Sequence, residues 1–202
     1  MASPVGHVLA GQLAYRAGSA GTGARGAALA WLCAFAAIAP DLDFLPGALL
    51  GRPALYHQGA SHSLVAATGF SLLLAVGYVR GRRGLAAAWV PLLLAYLSHL
   101  VLDLVGPDHR PPFGIPLFWP FSDATFLSPV TLLAGFHHAG STGASVREWL
   151  AGVFEVRNLL ALGTEIAIFA PPVILVELWT RRRAASQTVP GRGRPRGLPG
   201  PR

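Results

Sequence analysis

The chain has 202 residues, 52% of them hydrophobic and only 12% charged, with mean hydropathy +0.49. A soluble domain of this size carries about 25% charged residues, so the composition points to an integral membrane protein. The formal charge is +7, and all sixteen basic residues are arginine. Seven arginines follow residue 180 and no acid follows Glu177, so the remainder balances nine arginines against nine acids. A nucleic-acid-binding domain would carry its charge on the folded part, so the distribution argues against that class. The single cysteine, Cys33, lies in an apolar run and reads as a small hydrophobe. No basic start followed by a continuous apolar stretch marks a signal peptide.

Five segments read as membrane helices in chain order. Residues 4–17 and 26–40 are short, each reaching about 20 Å, and are expected to be partial spans, tilted packing partners or a helical hairpin. Residues 61–79 ("SHSLVAATGFSLLLAVGYV") are at the short end of the spanning range. Residues 84–105 ("GLAAAWVPLLLAYLSHLVLDLV") and 158–180 ("NLLALGTEIAIFAPPVILVELWT") are long enough to cross. The connection 106–157 is rich in Gly and Pro in its first part. Within it, "SPVTLLAGF" (128–136) is expected as an interfacial helix and "ASVREWLAGVFEV" (144–156) as an amphipathic one. The fold expected is all-α, a polytopic bundle of four to five membrane segments over residues 1–180. A disordered basic tail is expected over 181–202.

Arginines orient the segments. Arg16 and Arg25, the "RGRR" of 80–83 and the "RRR" of 181–183 all fall on one side, the cytoplasmic one. The C-terminus then lies inside, and the 41–60 and 106–157 connections lie outside. The tail arginines would attract anionic lipid, each by about 1 kcal/mol.

The histidines and aspartates were not used in that assignment, yet His7, Asp41, Asp43, His57, His62, His99 and Asp103 all fall at the outer face. His99 and Asp103, four apart, share one side of a helix. Asp41 and Asp43 sit in the Pro-bounded "PDLDFLP", and His57 and His62 bracket a Gly-containing turn. Each motif alone has a plainer reading. His99 and Asp103 can be a buried hydrogen-bonded pair, Asp41 and Asp43 a loop cap, His57 an interfacial loop residue, and Ser61 or Ser63 a helix N-cap. Together they point to a metal site, because ionisable groups at the rim of membrane helices are costly. Nitrogen and carboxylate donors suit zinc, with manganese and iron as alternatives. His109, His137 and His138 read as solvated loop residues and Asp108 as a surface residue. Asp123 reads as a turn cap or a site carboxylate.

"GHVLAG", "PDLDF", "HQGASHSL" and "YLSHLVLDLVGP…GIPLFWPFSDATF" resemble, in order and spacing, the motifs of the membrane-bound metal-dependent hydrolases. That family includes the LexA-binding inner-membrane type of enteric bacteria and was long grouped as a domain of unknown function. Its polar motif set is similar to that of zinc-dependent phospholipase C. The resemblance covers about residues 6 to 126. It implies an inner-membrane location, a divalent metal and hydrolase activity, with ligands at His7, Asp41, His57, His62, His99 and Asp103. This chain departs from the pattern at Phe44, where histidine is frequent, and at Gln58 and Ser61, which replace arginine and threonine. The function expected is hydrolysis of a phosphoester or lipid-linked substrate, with Asp41 or Asp43 bridging metals or acting as general base. Arg52 and Arg110 would meet an anionic head group or anchor at the interface, and "PLFWPF" (116–121) would supply interfacial aromatics. The alternative is a non-catalytic metal-binding, transport or adaptor protein.

Overall fold

The computed structural model describes residues 1–79, 84–108, 113–137 and 144–187, with the backbone alone for 183–187. His109, Arg110, His138 and the "RGRR" stretch lie outside the described residues. Seven α-helices follow in order: α1 (Pro4–Thr22), α2 (Ala27–Ile38), α3 (Phe44–Leu49), α4 (Leu64–Val79), α5 (Leu85–Val105), α6 (Val146–Val153) and α7 (Val156–Gln187). Short 3₁₀ turns at Ala39–Asp43, Pro53–Leu55 and Ala60–His62 link α2 to α4. The described residues contain no β-strand, only an isolated bridge between Ile115 and Phe126.

Three helical stretches are long and apolar enough to cross a membrane: Ala27–Leu49, Leu85–Val105 and Val156–Arg182. The 16-residue α4 is apolar but shorter. The second segment is therefore longer than its expected 26–40. Pro40 opens the 3₁₀ turn and needs no N–H there, so the coil continues past it into α3. The first segment differs in the opposite way. α1 has 19 residues but is not among the apolar spans, since Gln12, Arg16 and several Gly and Ser residues dilute it.

Instead α1 is the helix around which the bundle closes, packing on α2, α5 and α7. Its glycines permit this, as small residues do wherever membrane helices approach closely. A Cβ on Gly11 would lie 2.4 Å from the Ala37 Cβ of α2, and one on Gly18 would lie 2.7 Å from the Pro91 Cα of α5. One on Gly6 would strike the Glu165 carboxylate of α7. Glu165 is fully buried in a span, where a lone charge is expensive. It is satisfied by the Ser3 hydroxyl and by the Ser3 N–H, 2.9 and 3.0 Å from its two oxygens. Ser3 is also the N-cap of α1, accepting from the Gly6 N–H. The positive end of α1 thus faces the carboxylate. Leu29 and Cys33 of α2 and Leu92 and Ala95 of α5 form the apolar core beside it.

Two loop expectations change. Residues 128–136 are not helical. Their N–H groups bond instead to the C-terminal end of α5, Ser128 to the Leu104 carbonyl at 2.8 Å and Leu132 to that of Val105 at 2.9 Å. The carbonyls that the end of α5 leaves open are thereby satisfied. Gly135, at φ +80°, takes a left-handed conformation against Pro107. The amphipathic stretch is helical over Val146–Val153, with a capping box between Ser145 and Glu148. Those contacts hold the exposed Glu148 carboxyl below the usual carboxylate range. The basic tail begins later than residue 181, because α7 continues to Gln187 through arginine and alanine, both strong helix formers. Residues 188–202 lie outside the described residues.

Gly18→Val places a branched side chain against the Pro91 backbone. It should lower unfolding stability in detergent by about 1–3 kcal/mol, as overpacking does. An unchanged melting temperature contradicts the close α1–α5 crossing.

Candidate metal centre

One end of the bundle collects seven acidic and imidazole side chains from five elements. The N-terminal part of α1 brings His7 and the turn after α2 brings Asp41 and Asp43. The turns before α4 bring His57 and His62, and the last turns of α5 bring His99 and Asp103. His7, His62, His99 and Asp103 are at most 2% exposed. The Asp41 side chain is 19% exposed, so the cluster opens to the outside there.

Four of these residues converge on a point. Asp41 Oδ1, His62 Nε2, His99 Nε2 and Asp103 Oδ2 are ligand-type atoms of a group whose members all lie within 4.8 Å of one another. His99 Nε2 is 3.2 Å from His62 Nε2, 3.2 Å from Asp103 Oδ2 and 3.6 Å from Asp41 Oδ1. His62 Nε2 is 3.3 Å from Asp103 Oδ2 and 3.7 Å from Asp41 Oδ1. Ligands about 2.0–2.1 Å from a tetrahedral zinc stand about 3.3–3.4 Å apart, so the group has the dimensions of a four-coordinate cage.

The surrounding groups aim these atoms. The His99 Nδ1 lies 2.8 Å from the Ala37 carbonyl, so Nδ1–H donates and Nε2 keeps its lone pair. The His62 Nδ1 lies 3.2 Å from Asp43 Oδ2, the carboxylate–imidazole pairing that orients metal-binding histidines. Asp43 is itself encircled. Its Oδ1 meets the His57 Nδ1 at 2.7 Å, and its Oδ2 accepts from the Ser61 hydroxyl at 2.7 Å and the Gly59 N–H at 3.3 Å. Asp43 therefore stands behind the cage rather than in it. His57 bridges outward from Asp43, its Nε2 4.0 Å from Asp41 Oδ1. His7 stacks on His99 with ring centroids 3.8 Å apart, and its Nε2 lies 3.5 Å from Asp103 Oδ1.

The polar accounting of this pocket does not close with protein atoms alone. Both His7 ring nitrogens, Asp41 Oδ1 and both Asp103 oxygens are buried and make no hydrogen bond. Buried groups of this kind are normally paired, and leaving them unpaired costs about 1–3 kcal/mol each. The cluster also draws protons. Burial depresses the His62 imidazole, but the carboxylates of Asp103, Asp41 and Asp43 outweigh it and raise its pKa well above the ordinary value. A pocket that holds an extra proton among buried carboxylates and imidazoles also suits a cation, and nitrogen and oxygen donors suit zinc, manganese or iron.

Several positioning groups carry no sequence signal of their own. The Tyr96 hydroxyl donates to the Ser61 carbonyl at 2.7 Å and holds the turn that carries His62. Gln58, at φ 62°, takes the left-handed conformation that turns the chain between His57 and Gly59. Of the two serines, Ser63 caps α4 through the Ala66 N–H, and Ser61 serves Asp43. The remaining sequence candidates stand apart. Asp108 accepts from the Gly114 N–H at 2.7 Å, the His137 N–H donates to Asn158, and Asp123 is exposed. Leu117 of the "PLFWPF" stretch accepts from the Leu64 N–H at the start of α4. Phe118, Trp119 and Phe121 are thus exposed at the end of the bundle that carries the cluster.

The comparisons agree with a membrane protein of this kind. Over an alignment of 97 residues that covers 46% of this chain, it is 36% identical to the inner membrane protein YbcI of Escherichia coli strain K12. The match spans 54% of that relative's length. No solved structure matches. The family model described as YdjM inner membrane protein matches residues 1–178, and the chain belongs to that family.

Proposed function

We propose that this chain is a membrane-embedded, metal-dependent hydrolase acting on a phosphoester or lipid-linked substrate. The cage formed by Asp41, His62, His99 and Asp103, with its unsatisfied buried donors and acceptors, carries the reading. Those four residues would hold one divalent ion, zinc by donor set and spacing. Such an ion supplies Lewis acidity and makes water nucleophilic near neutral pH.

The chain's own groups then divide the work. Ala37 fixes the tautomer of His99, and Asp43 fixes that of His62. Asp43 is committed to three donors besides His62 and serves as a positioning group. Asp41 stands at the opening, and the carboxylate oxygen not given to the ion would act there as general base toward an attacking water. His57 backs Asp41 and Asp43 together. The aromatics of 118–121 suit the headgroup depth of a bilayer and support a lipid-linked substrate. The arginine pattern supports an orientation with this end outside and the C-terminus in the cytoplasm. A transport role finds less support, because the mid-span carboxylate of Glu165 is taken up by Ser3 in a helix clamp.

Purified in detergent, the wild-type chain should carry about one divalent ion, and the His99→Ala/Asp103→Ala variant should carry almost none. Full metal content in that variant sinks the ligand assignment. Asp43→Asn should weaken metal affinity about 10–100-fold without abolishing it. The carboxylates around His62 favour its protonated form, so metal uptake should release protons. Calorimetry in buffers of differing ionisation enthalpy reads this directly, and metal affinity should fall as the pH is lowered. Uptake without proton release contradicts the protonated pocket. Activity against a panel of phosphoesters and lipid esters should depend on added metal. A metal-loaded sample inactive on the whole panel would favour the non-catalytic alternative.

A further inference from the structure

The opposite end of the bundle holds a second polar recess, of about 360 Å³. It is lined by Gln12, Arg16 and Ser19 of α1, by Arg25 in the turn before α2, and by Trp179 and Thr180 of α7. Two donors in it are unanswered. Ser19 is 3% exposed, and its hydroxyl makes no hydrogen bond. Arg16 pairs with Glu177 through Nη2 at 2.7 Å, yet its buried Nε makes none. Glu177 also receives Arg181 at 2.7 Å, so its charge is already met twice. Arg25 adds an exposed cation at the rim. Buried donors without acceptors, beside spare positive charge, call for an anion.

Beside the recess lies a largely apolar face of α7. Val176 and Trp179 border both, and the face runs on past Leu175, Leu178 and Arg182. α7 is apolar enough to span as far as Arg182, so this junction lies where hydrocarbon meets water, the depth that tryptophan favours. A free anion would use only the recess. An amphiphile with an anionic head uses both parts.

We propose that this end of the bundle binds one anionic glycerophospholipid, its phosphate in the recess with Arg16, Ser19 and Arg25 and an acyl chain along the adjoining face of α7. The site is separate from the metal cage and does not rest on the hydrolase reading. It also differs from diffuse attraction by the tail arginines, which needs no pocket.

Native mass spectrometry of the full chain, offered equal phosphatidylglycerol and phosphatidylcholine, tests this. One tightly held phosphatidylglycerol is expected, preferred by about fivefold or more. Arg25→Gln, at an exposed position, and separately Ser19→Ala should each reduce that preference to about twofold or less at unchanged melting temperature. Arg192→Gln/Arg194→Gln/Arg196→Gln should leave it intact. The proposal is overturned by equal binding of the two lipids, or by loss of preference in the tail variant and not in the recess variants. Displacement of the lipid by millimolar inorganic phosphate also overturns it, since that marks a free-anion site.

Discussion

Three carboxylates and four imidazoles, buried or half-buried at one end of an apolar bundle, set the terms for the rest of this structure. Removing such groups from water is costly unless each finds a partner. Here the partners within ion-pair range are one another: His62 meets Asp41, Asp43 and Asp103, and His99 meets Asp41 and Asp103. That arrangement satisfies Asp43 but leaves Asp41 Oδ1 and both oxygens of Asp103 without hydrogen bonds. A cation in their midst would meet Asp41 Oδ1 and one oxygen of Asp103, which is what makes the cluster a candidate metal site.

The bundle is built to hold that cage still. α1 approaches α2, α5 and α7 at positions where only glycine fits, and Glu165 locks its first turn through Ser3. His7 follows one turn later, stacked on His99. The Ala37 carbonyl that orients His99 lies on α2, at the level where Gly11 of α1 meets the Ala37 side chain. A change in helix packing therefore reaches the imidazole tautomers directly, so stability and chemistry share the same contacts.

Much of this was legible in the residues. The spacing of His99 and Asp103 on an apolar helix implies a shared face, and arginine placement alone assigns seven polar groups to one membrane face. Other features had no signature. A backbone carbonyl such as that of Ala37 is the same atom in every residue. The enclosure of Asp43 depends on a turn 14 to 18 residues away, closed by a left-handed Gln58. The central place of α1 was hidden because hydropathy undervalues a helix whose packing depends on glycine. Residues 128–136 have helical composition, yet the open carbonyls of α5 compete for their N–H groups.

The most direct test of the account is X-ray absorption at the metal edge on the loaded, detergent-purified protein. The expected spectrum shows two imidazoles among four to five nitrogen and oxygen donors at about 2.0–2.1 Å, one of them water. A shell of oxygens alone, without imidazole scattering, would contradict a cage built from His62 and His99.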